Sequence, residues 1–223
     1  MKKWNMIDTA LMPDGKTISL REHDGTYAIR VDGAELMSTR RNASEMKLAE
    51  LACAQAREIR GARVLIGGLG FGFTLKAALA ALAPDATVTV VELLAAVIAW
   101  NKNPVFALAA DALSDPRVVL LQKDVGEMIR EYPGTFDSIL LDVDNGPAAL
   151  STEENQRLYD QAGVTRAFAA LRPGGCLAVW SAAGDPVFEK IMRRAGFTLD
   201  VERCRAHTTS GGWHTLFIGR RRA

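Results

Sequence analysis

Apolar residues in this chain follow two rhythms. From residue 63 onward, short unbroken apolar runs alternate with longer stretches in which apolar residues recur at helical spacing. The runs predict strands over 64–66, 87–91, 118–121, 138–141 and 176–180. The longer stretches predict helices over 73–83, 95–101, 125–131, 155–171 and 186–195. Ile139-Leu140-Leu141 is apolar on both faces of a strand, as a parallel sheet covered by helices on both sides requires. Right-handed crossovers then connect the strands. The last segment breaks the alternation. Strands over 197–204 and 213–219 are joined through Ser210-Gly211-Gly212 with no helix between them, which predicts an antiparallel pair at the sheet edge. The expected architecture is α/β: a doubly wound sheet of seven strands ending in an antiparallel hairpin.

Residues 5–40 read differently. Pro13-Asp14-Gly15, His23-Asp24-Gly25 and Asp32-Gly33 are turn signals, with strands over 17–21, 27–31 and 34–37. This predicts a small β-meander too short to be stable alone, an extension over 1–42 ahead of a main domain over 43–223. Asn42 or Ser44 is placed to cap a helix running to about residue 60.

Composition narrows the classes. With 223 residues, 48% hydrophobic and 24% charged, the chain can build a full core. A net charge of +1 supplies no field for nucleic acid or an anionic membrane. Arg220-Arg221-Arg222 is a local basic patch at a solvated end. Cys53, Cys176 and Cys204 are odd in number and lack metal or redox spacing, which fits reduced thiols of the cytoplasm. Lys2-Lys3 is followed by Trp4-Asn5 instead of an apolar segment, so no secretory leader is expected, and no apolar run reaches the roughly 18 residues of a membrane span.

Candidate chemistry gathers where the predicted strands end. Val64-Leu65-Ile66 runs into Gly67-Gly68-Leu69-Gly70-Phe71-Gly72, and a helix follows at once. Such a turn lets backbone approach a ligand closely and presents free N–H groups to it. Twenty positions beyond Gly72, Glu92 closes the next strand, where a carboxylate can accept from both hydroxyls of a ribose. Ligands in such sheets sit beyond the carboxyl ends of the strands. Those ends carry 67–72, Glu92-Leu93, Lys123-Asp124-Val125, 142–147 and Trp180-Ser181, which together point to a nucleoside ligand.

The chain resembles the class I S-adenosylmethionine-dependent transferases, a Rossmann-like fold, and within them is similar to the spermidine synthase (aminopropyltransferase) family. The resemblance runs from about residue 28 to 197. It rests on Val31-Asp32-Gly33, Ser44-Glu45, the glycine loop, Val91-Glu92, Asp115-Pro116-Arg117, Asp124, Phe136-Asp137-Ser138-Ile139-Leu140-Leu141-Asp142, Gly146-Pro147-Ala148, Tyr159 and Leu171-Arg172-Pro173-Gly174-Gly175. It implies that Gly67, Gly68, Gly70 and Gly72 shape the donor loop and that Glu92 binds the ribose. It implies that Asp124 accepts from the adenine amine, that the Val125 N–H meets a ring nitrogen, and that Leu93 covers the adenine face. Asp124 is equally a helix N-cap, and the two roles are compatible. Asp142 would orient the attacking amine and take its proton. Glu45, Asp144, Asn145, Tyr159 and Trp180 would line the acceptor side, with packing as the alternative for Tyr159 and Trp180.

The chain departs from that family in several places. The family loop reads Gly-Gly-Gly-Asp-Gly, and its aspartate, which holds the ammonium of decarboxylated S-adenosylmethionine, is Gly70 here. The aromatic element before the first helix has become Ala43-Ser44-Glu45. The loop from Asp142 to Pro147 is two residues shorter. These changes lead to the expectation of methyl transfer from intact S-adenosylmethionine to a small, cationic, amine-like acceptor. The alternative is aminopropyl transfer from the decarboxylated donor; a non-catalytic nucleoside-binding module ranks third. His207 and His214 flank the last loop without a third ligand, so no metal is expected. Exposed meander strands offer edges for a homodimer.

Overall fold

The computed structural model describes residues 4–106, 108–143, 146–147, 157–207 and 211–223. Two sheets form. The first is an antiparallel meander of β1 (Asn5–Leu11), β2 (Thr17–His23), β3 (Thr26–Val31) and β4 (Ala34–Ser38). Its turns are those the Asp-Gly signals predicted: Asp24 and Asp32 take φ of 47°, each followed by a glycine at positive φ. β1, which had no predicted range, pairs with β2.

The second sheet has seven strands: β5 (Arg63–Gly67), β6 (Thr87–Glu92), β7 (Val118–Gln122), β8 (Phe136–Leu141), β9 (Leu171–Ser181), β10 (Thr198–Arg205) and β11 (Trp213–Arg220). Their order is β10-β11-β9-β8-β5-β6-β7. β5 pairs in parallel with both β6 and β8, and β9 follows β8 in parallel. β11 is antiparallel to β9 and to the edge strand β10. The predicted doubly wound sheet with its terminal hairpin is therefore present. The order also seats the glycine loop after β5 beside the end of β8.

Helices α1 (Ala43–Ala56), α2 (Phe73–Ala81), α3 (Ala95–Lys102) and the short α4 (Ala110–Leu113) serve one face; α5 (Val125–Glu131), α6 (Gln161–Ala170) and α7 (Pro186–Arg194) serve the other. Alternation along the strands splits the core between them. Val64, Ile66 and Leu140 pack toward α1 and α2, while Leu65, Ile139 and Leu141 pack toward α5 and α6. Ile18, Leu20 and Ile29 of the meander join the first of these cores, so the small sheet shares its apolar interior with the large one. Trp100 Nε1 donates to Asp8 Oδ2 at 2.7 Å and ties α3 to β1.

Three predicted helices differ in extent. α1 stops at Ala56 instead of about residue 60, because the buried positions end there and Gly61 turns the chain at φ 63°. α2 ends at Ala81, where Arg117 Nη1 donates to the carbonyls of Leu79 and Leu82. Arg117 is itself held by Asp115, so Asp115-Pro116-Arg117 serves as a C-terminal clasp for α2. The helix predicted over 155–171 is divided at Asp160, whose Oδ1 accepts from Gly163 N and starts α6 afresh. Leu171 already belongs to β9, and the start of the predicted helix lies outside the described residues. Apolar periodicity continues across the division, which conceals it from a pattern reading. Among the described residues, no helix is long and apolar enough to cross a membrane.

Candidate active site at the carboxyl ends of the strands

The glycine loop is packed by the protein's own atoms. A Cβ at Gly68, which has φ 90°, would stand 2.2 Å from the carbonyl oxygen of Asp142. At Gly67 it would meet Val125 Cγ2 at 2.7 Å, and at Gly72 the Ala109 Cβ at 2.5 Å. These three glycines thus let β5, α4, α5 and the end of β8 close on one another. Gly70, at φ 50°, differs. A Cβ there would face only the flexible Met37 side chain of β4, with Sδ at 3.1 Å and Cε at 3.2 Å.

Glu92 is 9% exposed. Its Oε2 accepts from Leu69 N and its Oε1 from Leu94 N, both at 2.9 Å. The carboxylate therefore pins the glycine loop to the end of β6. Leu93 follows as a 45%-exposed apolar side chain, the character needed to cover an aromatic base. Asp124 caps α5 through Oδ1, which accepts from Glu127 N at 2.9 Å. Val125 is buried as the first residue of α5. Glu92, Leu93, Asp124 and Val125 thus stand at or just beyond the carboxyl ends of the neighbouring strands β6 and β7.

Asp142 follows β8 directly. Its backbone N–H donates to Gly67 O at 2.9 Å, and its Oδ2 accepts from Thr74 Oγ1 at 2.6 Å. Thr74 is buried in the first turn of α2. Asp142 keeps part of its surface accessible although it lies deep in the molecule. Burial raises its carboxyl to about 6, against the opposing hydrogen bond from Thr74. Glu45, in the first turn of α1, is raised to about 7, by burial first and by the negative charge of Asp142 second. The negative charge of Asp142 thus helps Glu45 keep its proton, so the two acids influence each other's ionisation.

Around Glu45, Ser44 Oγ lies 2.6 Å from Glu45 Oε2 and 2.9 Å from His214 Nδ1. The His214 ring stands edge-on to Trp180 with centroids 4.5 Å apart. Burial, then the charge of Arg41, holds His214 below its ordinary range. Tyr159 is buried against Phe188, and its hydroxyl donates to Val143 O at 3.3 Å, so it supports the backbone just after Asp142. Asp144 and Asn145 lie outside the described residues. Among the described residues, no group of three or more His, Cys, Asp or Glu side chains is placed to hold a metal ion.

No family model matches the chain, and no curated protein matches it in sequence. Solved structures do match. A spermidine synthase from Thermotoga maritima superposes with a TM-score of 0.72 at 18% identity, over 97% of this chain and 73% of that one. The fold is that of the spermidine synthases. A spermidine synthase in complex with the transition-state analogue AdoDATO gives a TM-score of 0.74 at 20% identity, over 97% of this chain and 74% of the other. A probable spermidine synthase from Corynebacterium glutamicum gives 0.68 at 15%, over 99% and 81%.

Within this spermidine synthase fold, Glu92, Leu93, Asp124, Val125, Asp142, Glu45 and Trp180 sit at the carboxyl-end rim or on elements bordering it. Four residues that matter here carry no role in the site on sequence grounds. Thr74 had one available signal, a hydroxyl at the second position of an apolar helix directly after a glycine loop. Ser44 was singled out only within the resemblance and as a possible helix cap, though it lies inside α1, and His214 only as flanking the last loop; Met37 had no signal, since Gly70 is distant in sequence.

Proposed function

We propose that the protein is a transferase that moves a carbon group from an adenosyl sulfonium to a small cationic amine, and that the group is the aminopropyl chain of decarboxylated S-adenosylmethionine. The observation that carries this reading is the pairing of Asp142 with Glu45. Two carboxylates held above their usual range in one recess are a site short of a positive charge. An ammonium placed between them relieves their repulsion, and neutral or anionic acceptors gain nothing there.

The donor, when bound, supplies an electrophilic carbon on sulfur. Glu92 accepts from the ribose hydroxyls and keeps the glycine loop in place. Leu93 and Asp124 take the base. An ammonium nitrogen has no lone pair for attack, so Asp142 accepts its proton; the freed amine then attacks the carbon, the carbon–sulfur bond breaks, the neutral thioether nucleoside leaves, and Asp142 faces the positive charge that returns to nitrogen. Thr74 fixes the orientation of the Asp142 carboxylate throughout. Proximity of the two bound ligands supplies much of the remaining rate.

The likeness to spermidine synthase structures supports aminopropyl transfer over the methyl transfer expected from Gly70 and the other departures. Methyl transfer from intact S-adenosylmethionine remains a second reading on one observation: position 70 has no acid for the donor's ammonium, and Met37 occupies the space beside it. The test is product analysis with each donor and putrescine or spermidine as acceptor, on wild type and Asp142→Asn. Turnover with the decarboxylated donor, lost about 10²-fold in the variant at unchanged donor affinity, is the expected result. Turnover with intact donor alone selects methyl transfer, and no turnover or binding with either removes both readings.

A further inference from the structure

Ser44 is completely buried, so its hydroxyl depends on the two groups beside it. It has one proton to give and lone pairs to accept with. The contact to Glu45 Oε2, at 2.6 Å, is the shorter, and a bond to a carboxylate is the stronger of the two available. The serine proton therefore points to Glu45. His214 Nδ1, at 2.9 Å, is left to donate its own proton to Ser44 Oγ. Burial and the charge of Arg41 both disfavour a second proton on the ring, which stands edge-on to Trp180. A backbone bond from Ala43 N to Ala206 O ties the start of α1 to the β10–β11 connection, which keeps the three residues in register.

We propose that His214 and Ser44 are positioning residues for Glu45: His214 Nδ1–H donates to Ser44, Ser44 donates to Glu45 Oε2, and this chain keeps Glu45 ionisable and in place beside Asp142. The role in amine binding rests on the function proposed above; the hydrogen-bond chain itself does not. Every charged neighbour acts on the same balance. Asp142 at the end of β8 opposes ionisation of Glu45, and Cys204 on β10 lies within its electrostatic reach. Arg41 acts on His214, and Lys47 acts on Cys204. The Ser44 bond is the first of the influences that favour the charged form of Glu45. Without the histidine donor, the serine hydroxyl is free to turn away, and Glu45 stays protonated to higher pH.

The test uses the ligand-free protein first. ¹⁵N NMR of the wild-type His214 ring is expected to show the Nδ1–H tautomer, and an Nε2–H tautomer overturns the proposal. ¹³C NMR then follows the Glu45 carboxyl through a pH titration in wild type, His214→Leu and His214→Asn. The asparagine amide carries an N–H near the position of Nδ1. The Glu45 midpoint is expected to rise by about one unit in His214→Leu and to stay near the wild-type value in His214→Asn. At pH 7 that shift reduces the charged fraction of Glu45 about fivefold, and affinity for spermidine is expected to fall by about the same factor in the leucine variant only. An unmoved midpoint in folded His214→Leu overturns the proposal even if the wild type binds spermidine normally. The expected tautomer and midpoints in a protein that binds no amine uphold the hydrogen-bond chain and overturn the functional reading instead.

Discussion

The sulfur of Met37 lies 3.1 Å from the point where a side chain at Gly70 would begin. One residue comes from the meander and the other from the glycine loop, and in the proposed function together they face the donor's tail. A thioether is apolar and flexible, so this corner offers no countercharge to an ammonium. Substituting Gly70→Asp restores an acid there. Aspartate tolerates a left-handed backbone better than most residues, and Met37 can move aside. The variant is expected to bind decarboxylated S-adenosylmethionine about tenfold more tightly and the intact donor no better, as read by calorimetry. Equal gains for both donors would rule out an ammonium contact at position 70.

Cation binding should be linked to proton release. Asp142 and Glu45 are raised to about 6 and about 7, so between pH 6 and 7 they carry protons that a bound polyamine displaces. Affinity for spermidine is expected to rise from pH 5.5 to pH 8 and then level off. Calorimetry at pH 6.5 in buffers of different ionisation enthalpy should detect net release on binding. Proton uptake, or affinity independent of pH, contradicts the paired-acid site.

The same two acids should weaken the free protein at high pH. Their folded pKa values lie above the unfolded ones near 4, so the folded state holds protons more strongly between the two. Their stabilising contribution is full below about pH 4 and is lost as pH rises through 6 and 7. Asp142→Asn and Glu45→Gln are thus each expected to raise Tm by about 3–6 °C at pH 8 and to change it little at pH 4.5. Thermal melts at the two pH values check this. A variant less stable than wild type at pH 8 would show that the acid's hydrogen bonds outweigh its burial.

Glu92 supports the glycine loop, and in the proposed function it also binds the donor's ribose. Glu92→Gln replaces one acceptor with a donor that must face either Leu69 N–H or Leu94 N–H. It is expected to lower donor affinity by tenfold or more and to cost about 1–3 kcal/mol of stability. Chemical denaturation beside donor titration separates the two effects. Donor affinity preserved in a destabilised variant would confine Glu92 to loop support.

The large sheet was legible because its strands are apolar on both faces and each is followed by a helical pattern. Ile139-Leu140-Leu141 marks β8 without ambiguity, and Asp142 is at its end by position alone. Glu92 and Asp124 were legible for the same reason, since strand ends in such a sheet converge. What sequence could not convey was which distant groups meet. The repulsion between Glu45 and Asp142 depends on how α1 lies over β8. The hydrogen bonds joining Ser44 to His214 span 170 positions. The break at Asp160 was hidden because the apolar spacing runs across it while a single capping carboxylate restarts the helix. Gly70 was visible as a missing acid, but its neighbour Met37 belongs to a meander whose packing no periodicity specifies.

Gly68 rests against the Asp142 carbonyl, and Asp142 N–H bonds to Gly67 O. The glycine turn after β5 and the start of the loop after β8 are therefore held against each other through backbone atoms. A side chain at Gly68 would therefore push the Asp142 backbone aside, whereas one at Gly70 would press only on Met37, so the two ends of this turn tolerate redesign very differently.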